Sequence, residues 1–172
     1  MRMTNEAVLY WTRLYTDNWN ICFAATAKGL CYVGSHNHSF EELSAWANKK
    51  YPDYKLVEDE EKMQPYAEEL ARYLQGELQG FSAPIDVQGT AFQQMVWKAL
   101  CEIPYGQTRT YSDIALSIHK PAAVRAVGAA IGANPLLIVV PCHRVNGKNG
   151  TLTGYRGGLD MKARLLRLEL EF

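Results

Sequence analysis

The pattern of the chain changes near Gly89-Thr90, from strands mixed with helices to helices, and that change limits what it can fold into. Before it, Val8–Tyr15 alternates in part and is rich in aromatic and β-branched residues, which predicts a strand. Ile21–Ala25 and Gly29–Val33 flank Thr26-Ala27-Lys28 and predict a hairpin. Ser39 and Glu42 have capping-box spacing, so a helix opens there and runs to about Lys49, before Tyr51-Pro52. Residues 53–62, with the run Glu58-Asp59-Glu60-Glu61, read as a solvated loop or helix start. A second helix is expected over Gln64 to Gln75, then an extended connector at Phe81–Val87. After the change, Thr90 and Gln93 form another capping box. Phe92, Met95, Val96, Ala99, Leu100 and Ile103 follow at helical spacing, with Cys101 expected in the core. Thr110 can cap a short helix striped by Tyr111, Ile114, Ala115 and Ile118, and Pro121 opens another that runs to about Ala133. Leu159 to Glu169 forms a closing helix. The fold class is therefore α+β in two layers. A small N-terminal antiparallel sheet with helices (1–87) packs on a C-terminal helical domain (88–172) that contains a helix-turn-helix.

At 172 residues, 48% hydrophobic and 21% charged, the chain can bury a sizeable core. No apolar run approaches a membrane span, and Met-Arg-Met-Thr-Asn-Glu does not open a signal-peptide core, so a cytoplasmic protein without membrane contact is expected. The four cysteines have no disulfide-framework spacing, and reduced thiols are the default. Cys22 and Cys31 with His36 and His38 do not match a standard zinc pattern, so no metal site is assigned. The zero net charge hides an asymmetry. Residues 1–87 carry 8 Lys and Arg against 13 Asp and Glu, a net of −5, and residues 88–172 carry 10 against 5, a net of +5. A basic half points to a polyanionic partner.

The helix expected over 121–133 is nearly all Ala and Gly apart from Val124, Arg125, Val127 and Ile131. As the second helix of a helix-turn-helix it would read base edges poorly but could approach a groove closely, which favours the minor groove. A tightly packed buried helix explains the same composition equally well. The run Leu136–Val140 then predicts a buried strand ending in Pro-Cys-His-Arg-Val (141–145). An imidazole and a guanidinium beside Cys142 can favour its thiolate. A Gly-rich stretch containing Tyr155 and Arg156 follows, where backbone could approach a ligand.

Residues 89–169 as a block resemble the O6-alkylguanine-DNA alkyltransferases, or methylated-DNA–protein-cysteine methyltransferases. The matching pieces are Gly-Thr-Ala-Phe-Gln-Gln (89–94), Ile-Pro-Tyr-Gly (103–106), Thr-Tyr-Ser-Asp-Ile-Ala (110–115) and Ala-Val-Arg-Ala-Val-Gly (123–128). They continue with Asn-Pro-Leu (134–136), Ile-Val-Val-Pro-Cys-His-Arg-Val (138–145) and Gly-Tyr-Arg-Gly-Gly-Leu (154–159). All of them stand in order over about half the chain. The resemblance implies a ribonuclease-H-like N-terminal domain and a winged-helix-like C-terminal one. It implies direct reversal of O6-alkylguanine, with O4-alkylthymine a second candidate lesion.

The roles it implies are these. Cys142 accepts the alkyl group, once per molecule and without a cofactor. His143 is the base, acting through a water, and Glu169 orients and charges it. Asn134 braces the turn before the active strand. Tyr111 pushes on the target phosphate and donates to the leaving guanine, and Arg125 fills the space of the flipped-out base. Ser112, Ala123 and Arg144 join Tyr111 and Arg125 on DNA. Val145, Tyr155, Arg156 and Lys162 line the substrate pocket, with Arg156, where some relatives have serine, narrowing it or meeting a phosphate. The partner is double-stranded DNA with alkylated bases, bound through the minor groove by a monomer. Two rivals stand beside this reading. A cysteine hydrolase would use the Cys-His pair but leaves the helix-turn-helix unexplained, and a DNA-binding module without chemistry leaves the Cys-His pair unexplained.

Overall fold

The computed structural model describes residues 7–38 and 40–172. The first six residues and Ser39, a member of the first expected capping box, lie outside them.

In the N-terminal half β1 (Val8–Thr16) and β2 (Trp19–Thr26) pair antiparallel, from Tyr10 opposite Ala25 to Thr16 opposite Trp19. Asp17 and Asn18 make the turn in the left-handed region, at φ 46° and 63°, which short polar side chains tolerate. β3 (Gly29–Val33) continues antiparallel beside β2. The fourth strand, β4 (Lys55–Glu58), lies parallel to β1, so the sheet is mixed, in the order β3-β2-β1-β4. Four residues of mixed polarity carry no readable period, and the segment that read as loop is a strand because the edge of β1 offers its backbone partners. Lys55 N–H donates to Ala7 O and Asp59 N–H to Trp11 O, each at 2.9 Å. The acidic run turns out to be a helix start. Asp59 caps α2 (Glu60–Leu74) by accepting from Lys62 N–H at 3.0 Å. Glu60 and Glu61 sit in the first turn, where the helix dipole favours carboxylates.

Helix α1 (Phe40–Lys50) covers one face of the sheet, packing Leu43 and Ala47 with Leu9, Cys22, Cys31 and Tyr32. Helix α2 covers the other, where Ile21, Phe23, Met63, Leu70 and Tyr73 join one continuous core with Val96, Trp97, Leu100, Leu136 and Leu137 of the C-terminal half. Burying an aliphatic or aromatic side chain contributes about 1.5–3 kcal/mol, so this shared core holds the two halves in register.

The C-terminal half is helical. Capping boxes open α3 (Ala91–Cys101) at Thr90 and Gln93, and α4 (Tyr111–Ser117) at Thr110 and Asp113. On α3, Trp97 rather than Met95 faces inward, and its indole N–H donates to Ala130 O at 2.8 Å. Cys101, expected in the core, is exposed at the helix end. Helix α5 (Val124–Gly132) starts later than Pro121 suggested, because residues 121–122 form a turn. Its two readings are both partly true. Val127, Ala130 and Ile131 are buried, while Arg125, Ala126 and Ala129 present an exposed, nearly smooth face. Strands β5 (Arg109–Thr110) and β6 (Val145–Asn146) pair parallel, and α6 (Leu159–Glu171) closes the fold. The free edge of β3 receives the connector and the site loop: Leu30 N–H donates to Pro84 O and Val33 N–H to Pro135 O, both at 2.9 Å.

Candidate active site

The segment before Cys142 is not a strand. Leu136–Val140 is a chain of tight turns, buried throughout except at Val139, with Ile138 at φ 72°. That angle is strained for a β-branched residue. The run stays inside because Asn134 supplies the partners a neighbouring strand would have given. Its amide nitrogen donates to Leu136 O at 3.2 Å and Val140 O at 3.1 Å, and its oxygen accepts from Leu136 N–H at 2.9 Å. The same nitrogen lies 3.3 Å from Cys142 Sγ. Cys142–Arg144 then form a single 3-10 turn. Cys142 is 3% exposed. Burial pushes its thiol up, and the Asn134 amide, Arg156 and Lys162 pull the other way without reversing it.

Glu169, near the end of α6, is the hub behind the cysteine. Its Oε1 accepts from Arg144 Nε at 2.8 Å and Gly106 N–H at 3.2 Å. Its Oε2 accepts from His143 Nε2 at 2.7 Å, from an Arg144 terminal nitrogen at 3.0 Å and from the Tyr73 hydroxyl. Burial alone would raise this carboxyl, but the His143 and Arg144 hydrogen bonds, with Tyr73, hold it far below the usual carboxylate range. His143 is fully buried, and burial lowers its imidazole pKa against the pull of Glu169. An ionised carboxylate can only accept, so Nε2 carries the ring proton. The lone pair is then on Nδ1, which is buried and has no protein partner. Among the described residues Cys142 and His143 form no direct hydrogen bond.

Arg144 is not on the DNA-facing surface, where the sequence analysis put it. It is 7% exposed, chelates Glu169 and donates to Ile103 O at 2.9 Å, because a 3-10 turn swings it inward where an extended chain would have sent it out. Arg156 also departs from expectation. Its guanidinium does not stand free for a phosphate. It donates to Val33 O (2.7 Å), Glu42 Oε1 (3.1 Å), Pro135 O (3.1 Å) and Asn134 O (3.2 Å), and its carbon lies 5.2 Å from the Tyr32 ring centroid. It staples the Gly-rich loop to the N-terminal sheet.

Fully buried Lys162 donates to Val145 O at 2.5 Å and to Thr153 O at 3.0 Å, tying β6 to that loop. The Tyr155 hydroxyl is buried without a partner. Tyr111 opens α4, and its hydroxyl oxygen accepts from Thr153 at 3.0 Å. Ser112 and Arg125 are exposed, and Ala123 caps α5. The structure thus gathers Asn134, Cys142, His143 and Glu169 in one place and leaves Ser112, Ala123 and Arg125 on the surface of the helix pair. Two residues escaped sequence reasoning. Tyr73 shares the apolar face of α2 with Met63 and Leu70, so spacing marks it as core but gives its hydroxyl no role. Glu42 has the spacing of a cap residue, which hid its bonds to Tyr32, Ser35 and Arg156. Cys22 and Cys31 are buried in strands, His36 accepts from Asn20 N–H, and His38 pairs with Glu42. Among the described residues no cluster of His, Cys, Asp and Glu is arranged to hold a metal.

Comparison with known proteins agrees with this geometry. Residues 9–87 match the 6-O-methylguanine DNA methyltransferase ribonuclease-like domain, and residues 91–171 match the DNA-binding domain of the same family. The chain is 61% identical over 166 residues to the inducible methylated-DNA–protein-cysteine methyltransferase of Bacillus subtilis, covering 96% of this chain and 93% of that one. It is 54% identical over 151 residues to the methylated-DNA–protein-cysteine methyltransferase of Methanosarcina acetivorans, covering 87% and 90%. The crystal structure of Mycobacterium tuberculosis OGT in complex with DNA superposes with a TM-score of 0.79 at 36% identity, over 94% and 93% of the two chains. The chain therefore belongs to the 6-O-methylguanine DNA methyltransferase family, and it repairs O6-methylguanine in DNA by alkyl transfer to a cysteine.

Proposed function

We propose that Cys142 is the alkyl acceptor, His143 its base and Glu169 the residue that fixes the base, in a reaction each molecule performs once. The observation that carries this reading is the buried pair Glu169–His143, with Nδ1 unpartnered on the residue that follows a cysteine held by Asn134. A carboxylate that sets the tautomer of an imidazole next to a nucleophile is the logic of a catalytic triad. The Cys142 proton passes to His143 through a bridging water. The sulfur attacks the alkyl carbon, an S–C bond forms, and the C–O6 bond breaks with its electron pair going to guanine, which takes up a proton to become the ordinary base. The product is a thioether, and no second nucleophile is assigned to cleave it.

The alkylated base lies inside the stack and must be rotated out first. Arg125 at the exposed start of α5 is suited to fill the gap, with Ser112 and Ala123 near the backbone. The smooth outer face of α5 suits close approach to the minor groove. Tyr111, next to Thr153 of the pocket loop, donates to the leaving guanine. The Val145 carbonyl faces the guanine amino group with one lone pair already held by Lys162, and Tyr155 closes the pocket. We divide the chain at 87/88, where the connector ends, and read it as a cytoplasmic monomer with no membrane contact.

Intact mass and peptide mapping after incubation with an O6-methylguanine duplex test the assignment. One methyl mass on Cys142, a burst of repair equal to the protein, and neither in Cys142→Ala, which still binds DNA, are expected. Continued turnover, or methyl on another cysteine, refutes it.

A further inference from the structure

Tyr73 belongs to the N-terminal half, yet it reaches the centre of the site. Its fully buried ring packs against Phe81 and Tyr105, with centroids 5.4 and 6.2 Å away. Its hydroxyl donates to Glu169 Oε2 and lies 3.4 Å from His143 Nε2. Packing needs only the ring. A phenylalanine would fill the space without burying a hydroxyl that must then find a partner. Glu169 carries five donors, two on Oε1 and three on Oε2. A carboxylate offers about four lone-pair sites, about two on each oxygen. Tyr73 and His143 therefore draw on the same electron density.

We propose that Tyr73 is a positioning residue of the transfer reaction: its hydroxyl holds the Glu169 carboxylate and limits the negative charge offered to His143, so that the ring stays neutral with Nδ1 free to accept a proton. The inference rests on the reading of His143 as the base. Among the described residues the titratable and charged groups that act on His143 are Glu169 and Lys162 from α6, Arg144 from its own turn, and Tyr73 from α2. Tyr73 is the one among them that comes from the N-terminal half, so that half contributes to the chemistry as well as to the scaffold. Removing the hydroxyl leaves Oε2 to His143 and Arg144. The imidazolium is then better stabilised and the base is lost at a higher pH.

The test uses full-length Tyr73→Phe. The rate of Cys142 methylation by an O6-methylguanine duplex is followed by mass spectrometry across the range in which imidazoles titrate, and the His143 ring is titrated by nitrogen NMR. The acid limb of the rate and the ring titration should both move up by about one pH unit. Replacing Tyr73 with 3,5-difluorotyrosine, a stronger donor of nearly the same shape, should move both down, which keeps the inference testable if the phenylalanine variant folds badly. Curves that superimpose on wild type overturn it. So does a rate loss uniform in pH with an unmoved titration, which would leave Tyr73 a packing role alone. If wild type gains no methyl on Cys142, the site assignment fails instead, and the ring titration, which needs no transfer, still decides the role of Tyr73.

Discussion

Replacing Arg156 with alanine should loosen the junction between the two halves before it touches the chemistry. The guanidinium donates to three backbone carbonyls and to Glu42, which itself also accepts from the Tyr32 hydroxyl, from the N–H and hydroxyl of Ser35 and from His38. Burial pushes the Glu42 carboxyl up, but Tyr32, Ser35, Arg156 and His38 together outweigh it and hold the group below its ordinary value. A hydrogen bond to a charged group contributes about 1.5–3 kcal/mol. Four of them are not additive, and both side chains are 25% exposed, so water replaces part of what is lost. The expected loss is about 2–4 kcal/mol. With a urea slope of about 2 kcal/mol per molar, the unfolding midpoint should fall by about 1–2 M. Tryptophan fluorescence reads this directly, since Trp19 and Trp97 lie in the shared core. Arg156→Lys should recover less than half, because a point charge cannot serve several divergent acceptors. A cycle with Glu42→Gln should show coupling of about 0.5–3 kcal/mol. An alanine variant within about 0.5 kcal/mol of wild type, the usual range for an exposed substitution, would refute the staple.

Glu169→Gln leaves Arg144 buried without its counter-charge and should cost about 3–5 kcal/mol at neutral pH. The folded-state carboxyl lies below its unfolded value, so its contribution is complete above about pH 4.3 and is lost as the pH falls toward the folded value. The gap between wild type and variant in acid-titrated unfolding should therefore narrow by about 1.4 kcal/mol per pH unit in that range, and a constant gap would contradict the assignment. Iodoacetamide at mildly alkaline pH should label Cys101 first, because Cys22, Cys31 and Cys142 are buried and burial pushes the Cys31 thiol up to about 12. Peptide mapping that finds Cys142 labelled before Cys101 would contradict its resting state.

Elements with a local signal were legible in the sequence. The hairpin strands, the capping box at Thr90 and the cap at Thr110 stand where the pattern put them. What was not legible depended on partners far along the chain. β4 exists because β1 has a free edge, and nothing within Lys55–Glu58 announces it. Leu136–Val140 has a strand composition, but the Asn134 side chain folds it into turns. Arg144 and Arg156 are cations, and a cation in a basic half reads as a surface residue. Each instead finds a carboxylate from another element, Glu169 and Glu42, and is drawn inward. The neighbours of Cys142 were readable as residue types, while their directions were not.

On the proposed reading of Cys142 as a one-use acceptor, its burial has a chemical use. An exposed thiolate would be consumed by any small electrophile, and a stoichiometric acceptor has no means of replacing what it loses. In the free protein the thiol is pushed up by burial and the neighbouring imidazole is held neutral, so the charged pair that would make sulfur a strong nucleophile is the disfavoured state. The hydrogen bond from Asn134 and the cations of Arg156 and Lys162 oppose that penalty without cancelling it. On the same reading, a partner that takes up a proton as it leaves tips the balance, as guanine released from its alkyl group would. Selectivity then comes from the coupling of two proton transfers across one pocket. On this view the buried network around Glu169 does not make Cys142 generally reactive: it holds the base in one tautomer and leaves the final step to the substrate.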